Sequence, residues 1–199
     1  MKLVGGDRSP YARKVRIVLE EKGIPYEYVQ ARPGTPDSPV PALNPLAKIP
    51  VLVTDSGKTI YDSSVIVDYL DALRPEPRLI PAELEARVDV NRWEALGDGI
   101  TDAIVLTSHD YDKRQTEEWH EKQRLKIHRG LAAIEKALGS RPFCYGERFG
   151  LADIAAGYAV GYLDAQLPDI DWRASHPALA RLAERLSERD SFRKAPQGK

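Results

Sequence analysis

Apolar and polar positions follow two different rhythms along the chain. In the first 75 residues, short apolar runs alternate with stretches at helical spacing. Lys2-Leu3-Val4 predicts a first strand. Ser9-Pro10 then opens a helix, because serine supplies a side-chain acceptor to the first turn and proline fits the first helical position, where its missing N–H costs nothing. Val15, Val18 and Leu19 continue at helical spacing until Gly23 and Pro25 stop the element. Tyr26-Glu27-Tyr28-Val29 predicts a second strand, and the proline-rich stretch 32–45 is too broken for regular structure. A third strand is expected over 49–53, a hairpin turn at Asp55-Ser56-Gly57-Lys58, and a fourth strand at Thr59-Ile60-Tyr61. Asp62 or Ser63 caps the next helix, whose apolar face is Ile66, Tyr69, Leu70 and Leu73. The order βαβ, loop, ββα predicts a small mixed sheet with helices, parallel in its first pair and antiparallel in its last.

Residues 74–81 hold three prolines in eight positions, so no helix crosses them. Beyond them the period is 3.6 throughout. One helix carries Val88, Leu96, Ile100, Ala103, Ile104 and Thr107, and the next carries Ile127, Leu131, Ile134 and Leu138. A third opens near Leu151 with Ile154, Ala155, Tyr158, Gly161 and Tyr162, and a fourth carries Leu179, Leu182, Ala183 and Leu186. The third is apolar almost all round and is expected at the centre of a bundle. The expected division is a mixed α/β domain at 1–75, a linker at 76–84 and an all-helical domain at 85–199.

Composition narrows the function. With 29 Lys+Arg against 30 Asp+Glu the formal charge is −1, which argues against the electrostatic footprint of a nucleic-acid binder. A single cysteine, Cys144, excludes an intrachain disulfide and a CxxC pair and fits a reducing compartment. Its apolar neighbours predict a buried, inert thiol. No stretch is apolar for long enough to span a membrane, and the start has no secretory pattern, so a soluble cytoplasmic protein is expected. The four histidines, His109, His120, His128 and His176, form no i, i+4 pair, so no metal site is expected. Neither GxGxxG nor a Walker loop occurs, which removes nucleotide chemistry. The basic tail 185–199 is interleaved with Glu188 and Asp190 and reads as solvated.

Four local strings stand in order: Ser9-Pro10-Tyr11-Ala12-Arg13-Lys14-Val15, Asn44-Pro45-Leu46-Ala47-Lys48-Ile49-Pro50-Val51-Leu52, Tyr61-Asp62-Ser63-Ser64 and Leu151-Ala152-Asp153-Ile154. With the two-part layout they make the chain resemble a cytosolic glutathione S-transferase of the bacterial, serine type. That resemblance implies a thioredoxin-like first domain followed by an all-helical second domain. Each string also has its own chemistry. A serine that caps a helix lies where unpaired N–H groups and the dipole lower a nearby thiol's pKa, and its hydroxyl can donate to the thiolate. By the resemblance, Ser9 activates the glutathione sulfur. The family keeps a cis proline at Pro50, which presents the Ile49 backbone as an open strand edge for the cysteinyl part of glutathione; on residue statistics alone Pro50 is an ordinary trans proline at a strand start. Asp62 suits the γ-glutamyl ammonium, and Ser63 at a helix N-terminus suits its carboxylate, with Ser64 as the substitute if the register slips. The family more often has glutamate where Asp62 stands. Lys48 reaches toward the glycyl carboxylate or is simply a surface lysine.

The fourth string is structural. Asp153 supplies half of a capping box, while Gly150 replaces the usual Ser or Thr at the cap. Tyr11, His109 and Tyr111 are candidates for an apolar pocket that takes a second substrate, and equally for plain packing. The resemblance implies a homodimer with no prosthetic cofactor, taking glutathione as co-substrate and joining its sulfur to a hydrophobic electrophile lying between the domains. The alternatives are a non-catalytic glutathione- or protein-binding member of the scaffold, or a glutathione-dependent isomerase, dehalogenase or peroxidase.

Overall fold

The computed structural model describes residues 1–108 and 116–198. The chain divides into two compact units, Met1–Leu79 with Arg189–Lys199, and Ile80–Glu188. The first unit is built on four strands: β1 (Lys2–Gly5), β2 (Glu27–Gln30), β3 (Val51–Val53) and β4 (Thr59–Ile60), in the spatial order β2-β1-β3-β4. β1 and β2 run parallel with Leu3 opposite Tyr28, whereas β1 with β3 and β3 with β4 are antiparallel, Leu3 facing Leu52 and Leu52 facing Ile60. This is the mixed sheet expected from the element order. The third strand starts two residues later than its apolar pattern suggested, because Pro50 has no N–H to give to a ladder.

α1 (Pro10–Lys22) begins at the Ser9 cap and ends at Gly23, whose φ of 58° is the left-handed conformation glycine adopts without a side-chain penalty. There Gly23 and Ile24 return their N–H groups to Glu20 and Leu19. The 32–45 stretch is more ordered than expected: it holds a single-turn helix, α2 (Val40–Leu43), and Val40 is buried in a small core with Val4, Ala31 and Val51. Prolines at the start of that turn cost nothing, so the local composition was a poor guide. α3 (Ser63–Leu73) is capped by Asp62 and buries Ser63, Ile66, Val67, Leu70 and Asp71. Leu73, expected on that face, is instead 49% exposed in the last turn, and Asp71 takes the inward position.

The tail departs most from expectation. Residues read as solvated form α8 (Asp190–Lys194), with Ser191, Phe192 and Ala195 buried. Arg189 places two guanidinium N–H groups on Glu21 at 2.8 and 2.9 Å, and Ser191 Oγ donates to the same carboxylate at 2.5 Å. Arg13 Nε donates to the Ala195 carbonyl at 2.8 Å. Residues 189–199 thus belong to the first unit, whereas the expected division had the all-helical domain running from 85 to 199.

The second unit contains α4 (Leu84–Ser108), α5 (Glu117–Leu138), α6 (Leu151–Gln166) and α7 (Pro177–Ser187). α6 is buried continuously from Leu151 to Val160 and again at Tyr162 and Leu163, and it packs on α4 and α7. Its centrality follows from a sequence with no polar face. Val88 of α4 is 45% exposed while Val90 is buried, so the inward stripe starts two positions after the expected one. Asp153 accepts the Gly150 N–H at 2.9 Å and the Cys144 N–H at 2.8 Å, which replaces the missing cap side chain with two backbone anchors. No helix among the described residues is long and apolar enough to cross a membrane.

Candidate active site in the first unit

Ser9 sits where β1 ends and α1 begins. Its backbone is extended (φ −76°, ψ 116°), its N–H reaches the Gly6 carbonyl at 2.9 Å, and its Oγ accepts the Ala12 N–H at 3.2 Å. An oxygen that accepts from the helix keeps its own hydrogen for donation, so the half-buried hydroxyl can serve an anion at the positive end of α1. Behind it, burial and then the neighbouring Arg16 pull the Arg13 guanidinium down to about 10. On β2, burial pushes the Tyr28 phenol up to about 12 despite the Arg16 charge 4.6 Å above its ring.

The second piece is the loop before β3. Asn44, which is buried, organises it: its Oδ1 accepts the Leu46 N–H at 3.0 Å and its Nδ2 donates to the Lys48 carbonyl at 2.9 Å. Its own carbonyl accepts the Ala47 N–H at 2.8 Å, and Ala47 takes a left-handed φ of 51°. The Ile49–Pro50 bond is cis. Pro50 is buried, Ile49 is half-buried, and the Lys48 side chain is exposed. Asn44 stood in the quoted string without a role; an Asn followed by proline and a tight loop was the available signal.

The third piece is the N-terminus of α3. Asp62, exposed, is the cap and accepts the Ser64 N–H at 3.0 Å. Ser63 is buried at the first helical position, and Ser64 is half-buried with its Oγ accepting from Lys14 Nζ at 3.2 Å. Lys14 therefore links α1 to the first turn of α3. The sequence reading missed it, although a lysine four residues from both Pro10 and Val18 lies on the inward stripe of α1. Tyr11 is half-buried on α1. His109 and Tyr111 lie outside the described residues. Among the described residues no cluster of three His, Cys, Asp or Glu side chains is placed to hold a metal ion.

Family models of the glutathione S-transferase N-terminal domain and C-terminal domain match residues 3–78 and 117–185. A GST-like protein of Escherichia coli, YibF, is 37% identical over 96% of both chains. The chain belongs to the glutathione S-transferase family. Among solved members of that family, the chain is similar to a glutathione S-transferase from Methylobacterium radiotolerans in complex with glutathione sulfonate. The two share 45% identity and a TM-score of 0.92 over 100% of this chain and 95% of that one. A glutathione S-transferase from Methylobacillus flagellatus with glutathione bound has a TM-score of 0.94 at 42% identity over 99% of both chains. The glutathione S-transferase fold expected from the four strings is the fold found.

Proposed function

We propose that this protein is a glutathione transferase of the serine type, in which the first domain holds reduced glutathione as its thiolate. The observation that carries the reading is Ser9, a half-buried hydroxyl whose oxygen already accepts from Ala12 and whose hydrogen is left to donate at a helix N-terminus. In this reading the thiol proton passes to water, and the Ser9 hydroxyl and the α1 dipole stabilise the remaining charge. The sulfur then forms a bond to an electrophilic carbon of a hydrophobic compound, and the leaving group departs with the electron pair of the broken bond. The Ile49 backbone beside Pro50 pairs with the cysteinyl unit. Asp62 receives the γ-glutamyl ammonium, and Ser63 with the α3 N-terminus receives its carboxylate. Lys48 is free to swing to the glycyl carboxylate, and half-buried Tyr11 on α1 is the candidate contact for the electrophile. Support for the ligand comes from the two similar glutathione S-transferases crystallised with glutathione or its sulfonate.

The protein works in the cytoplasm as a homodimer; large apolar side chains left exposed, such as Leu46 at 68% and Leu84 at 67%, favour a second copy as their cover. The test is calorimetric titration with glutathione followed by turnover of a chloronitroaryl electrophile. Binding with product formation that falls at least tenfold in Ser9→Ala is expected. Binding without product for any of a panel of aryl halides, epoxides and enones would instead favour a non-catalytic member or one with isomerase chemistry.

A further inference from the structure

The segment after α8 returns to the loop that delivers Ser9 to α1. Gly198 donates its N–H to the Asp7 carbonyl at 3.0 Å, and Gln197 Nε2 donates to the Arg8 carbonyl at 3.2 Å. Just upstream, the Lys194 and Ala195 carbonyls accept from Arg16 Nη2 at 3.0 Å and Arg13 Nε at 2.8 Å. The segment therefore bonds to the two residues before Ser9 and to residues one and two helical turns after it. The fit at its end is close: a Cβ on Gly198 would stand 2.8 Å from the Asp7 carbonyl carbon and oxygen. The loop is held on its other flank as well. Asp7 accepts from Arg16 Nη1 at 3.2 Å and from Gln30 Nε2, and the Gly5 carbonyl accepts the Ala31 N–H at 2.7 Å.

We propose that residues 196–198 are a strap that positions the Ser9 hydroxyl, with Gln197 and Gly198 as positioning residues for stabilisation of the bound thiolate. The proposal rests on the reading of Ser9 given above. The direction of a capping hydroxyl follows from the peptide planes that precede it, and here those planes carry the Asp7 and Arg8 carbonyls. Both residues are exposed, so without the strap their carbonyls would exchange partners with water at little cost and the cap would drift. Drift matters at a reacting atom, where a misplacement of about 1 Å can cost on the order of a hundredfold in rate. The strap itself contributes little to the core. The anchor is upstream, in buried Phe192 and Ala195 and in the Arg189–Glu21 ion pair. Gln197 Nε2 also donates to the Gly198 carbonyl at 3.2 Å, so its donor end joins the Arg8 carbonyl to the end of the strap.

The experiment compares the full chain with a chain truncated after Ala195 and with Gly198→Val, each also in a Ser9→Ala background. Melting temperature, glutathione affinity, kcat and the pH profile of kcat/KM are measured with an aryl halide. The expected result is an unchanged melting temperature and glutathione affinity within about threefold, with kcat lowered about tenfold and the thiol pKa raised by about one unit. In the Ser9→Ala background the strap changes should then cost nothing further. Strap variants with an unmoved kcat and pH profile would overturn the strap alone, as would an equal loss in the Ser9→Ala background. A Ser9→Ala protein with the parent's pH profile would overturn the reading of Ser9 and the strap with it.

Discussion

Lys22 and Asp71 form an ion pair sealed inside the first unit, their side chains 0% and 6% exposed. The Lys22 ammonium also donates to the carbonyls of Arg74 at 2.8 Å and Pro77 at 2.6 Å, and Asp71 accepts the Leu79 N–H at 2.9 Å. Arg74 completes the exchange by donating to the Lys22 carbonyl at 2.6 Å. One buried pair thus ties the end of α1 and the last turn of α3 to the proline-rich segment, where Pro75, Pro77 and Pro81 have no N–H to donate.

Removing one charge from that pair leaves the other buried and uncompensated. Asp71→Ala is expected to lower the unfolding free energy by about 3–5 kcal/mol in urea denaturation. Replacing both, as Lys22→Met with Asp71→Leu, should recover part of the loss, since an apolar pair carries no desolvation cost. A double variant as unstable as Asp71→Ala would show that the carbonyl contacts, rather than the charges, hold the segment.

Ser9 has two separable roles, cap and thiolate donor. Ser9→Ala should cost about 1 kcal/mol of stability and also reduce turnover. Ser9→Asp keeps a strong cap acceptor at the positive helix end, so its stability should match the parent within about 0.5 kcal/mol. Its carboxylate would repel a thiolate, and kcat should fall at least as far as in Ser9→Ala. Full turnover in Ser9→Asp would leave Ser9 as a cap and nothing more.

Two glycines of the helical unit test close packing. A Cβ on Gly97 would stand 2.7 Å from the Ala155 carbonyl oxygen, which is backbone of the central helix α6, whereas a Cβ on Gly130 would meet the Ile100 side chain, its Cδ1 at 2.7 Å. Both Gly→Ala changes should destabilise, by about 1–3 kcal/mol. In an Ile100→Ala background the Gly130→Ala change should cost less, because that substitution removes both Cγ1 and Cδ1, the two atoms the new Cβ would meet. No such partner exists for Gly97→Ala, so thermal melts of the two pairs should separate.

Cys144 is fully buried, and burial, with Asp153 close by, pushes its thiol far above the ordinary range. The sign of the pH effect follows. Below about pH 8.5 both folded and unfolded thiols keep their protons and the group contributes no slope. Above it only the unfolded chain releases a proton, so stability declines by up to about 1.4 kcal/mol per pH unit from this group. Native protein should resist iodoacetamide at pH 8 and be alkylated once unfolded. Rapid alkylation of folded protein would contradict the burial.

The candidate site was readable where its parts are local. Ser9-Pro10 and Asp62-Ser63 are caps within one turn of the helices they start, and the structure has both as caps. It also decides that Asp62 rather than Ser63 caps α3. Lys14, Asn44 and Asp71 were not singled out. Lys14 and Asp71 are polar residues whose burial is compensated by groups that no local pattern marks, such as Ser64 for Lys14, 50 positions away, whereas Asn44 bonds within its own loop.

What the residue order settled alone was the kind and sequence of elements: a helix announces itself by apolar spacing every three or four residues and by its caps, all within a dozen positions. Folding in three dimensions settled which charges go inside and where the tail lies. Arg13 and Ala195 are 182 residues apart and meet only because α8 docks on α1, and Phe192 is buried by that docking although Arg193 and Lys194 beside it read as solvent-facing. Hydrophobic periodicity acts at short range along the chain, whereas a buried polar side chain is stabilised by whichever partner the fold brings to it.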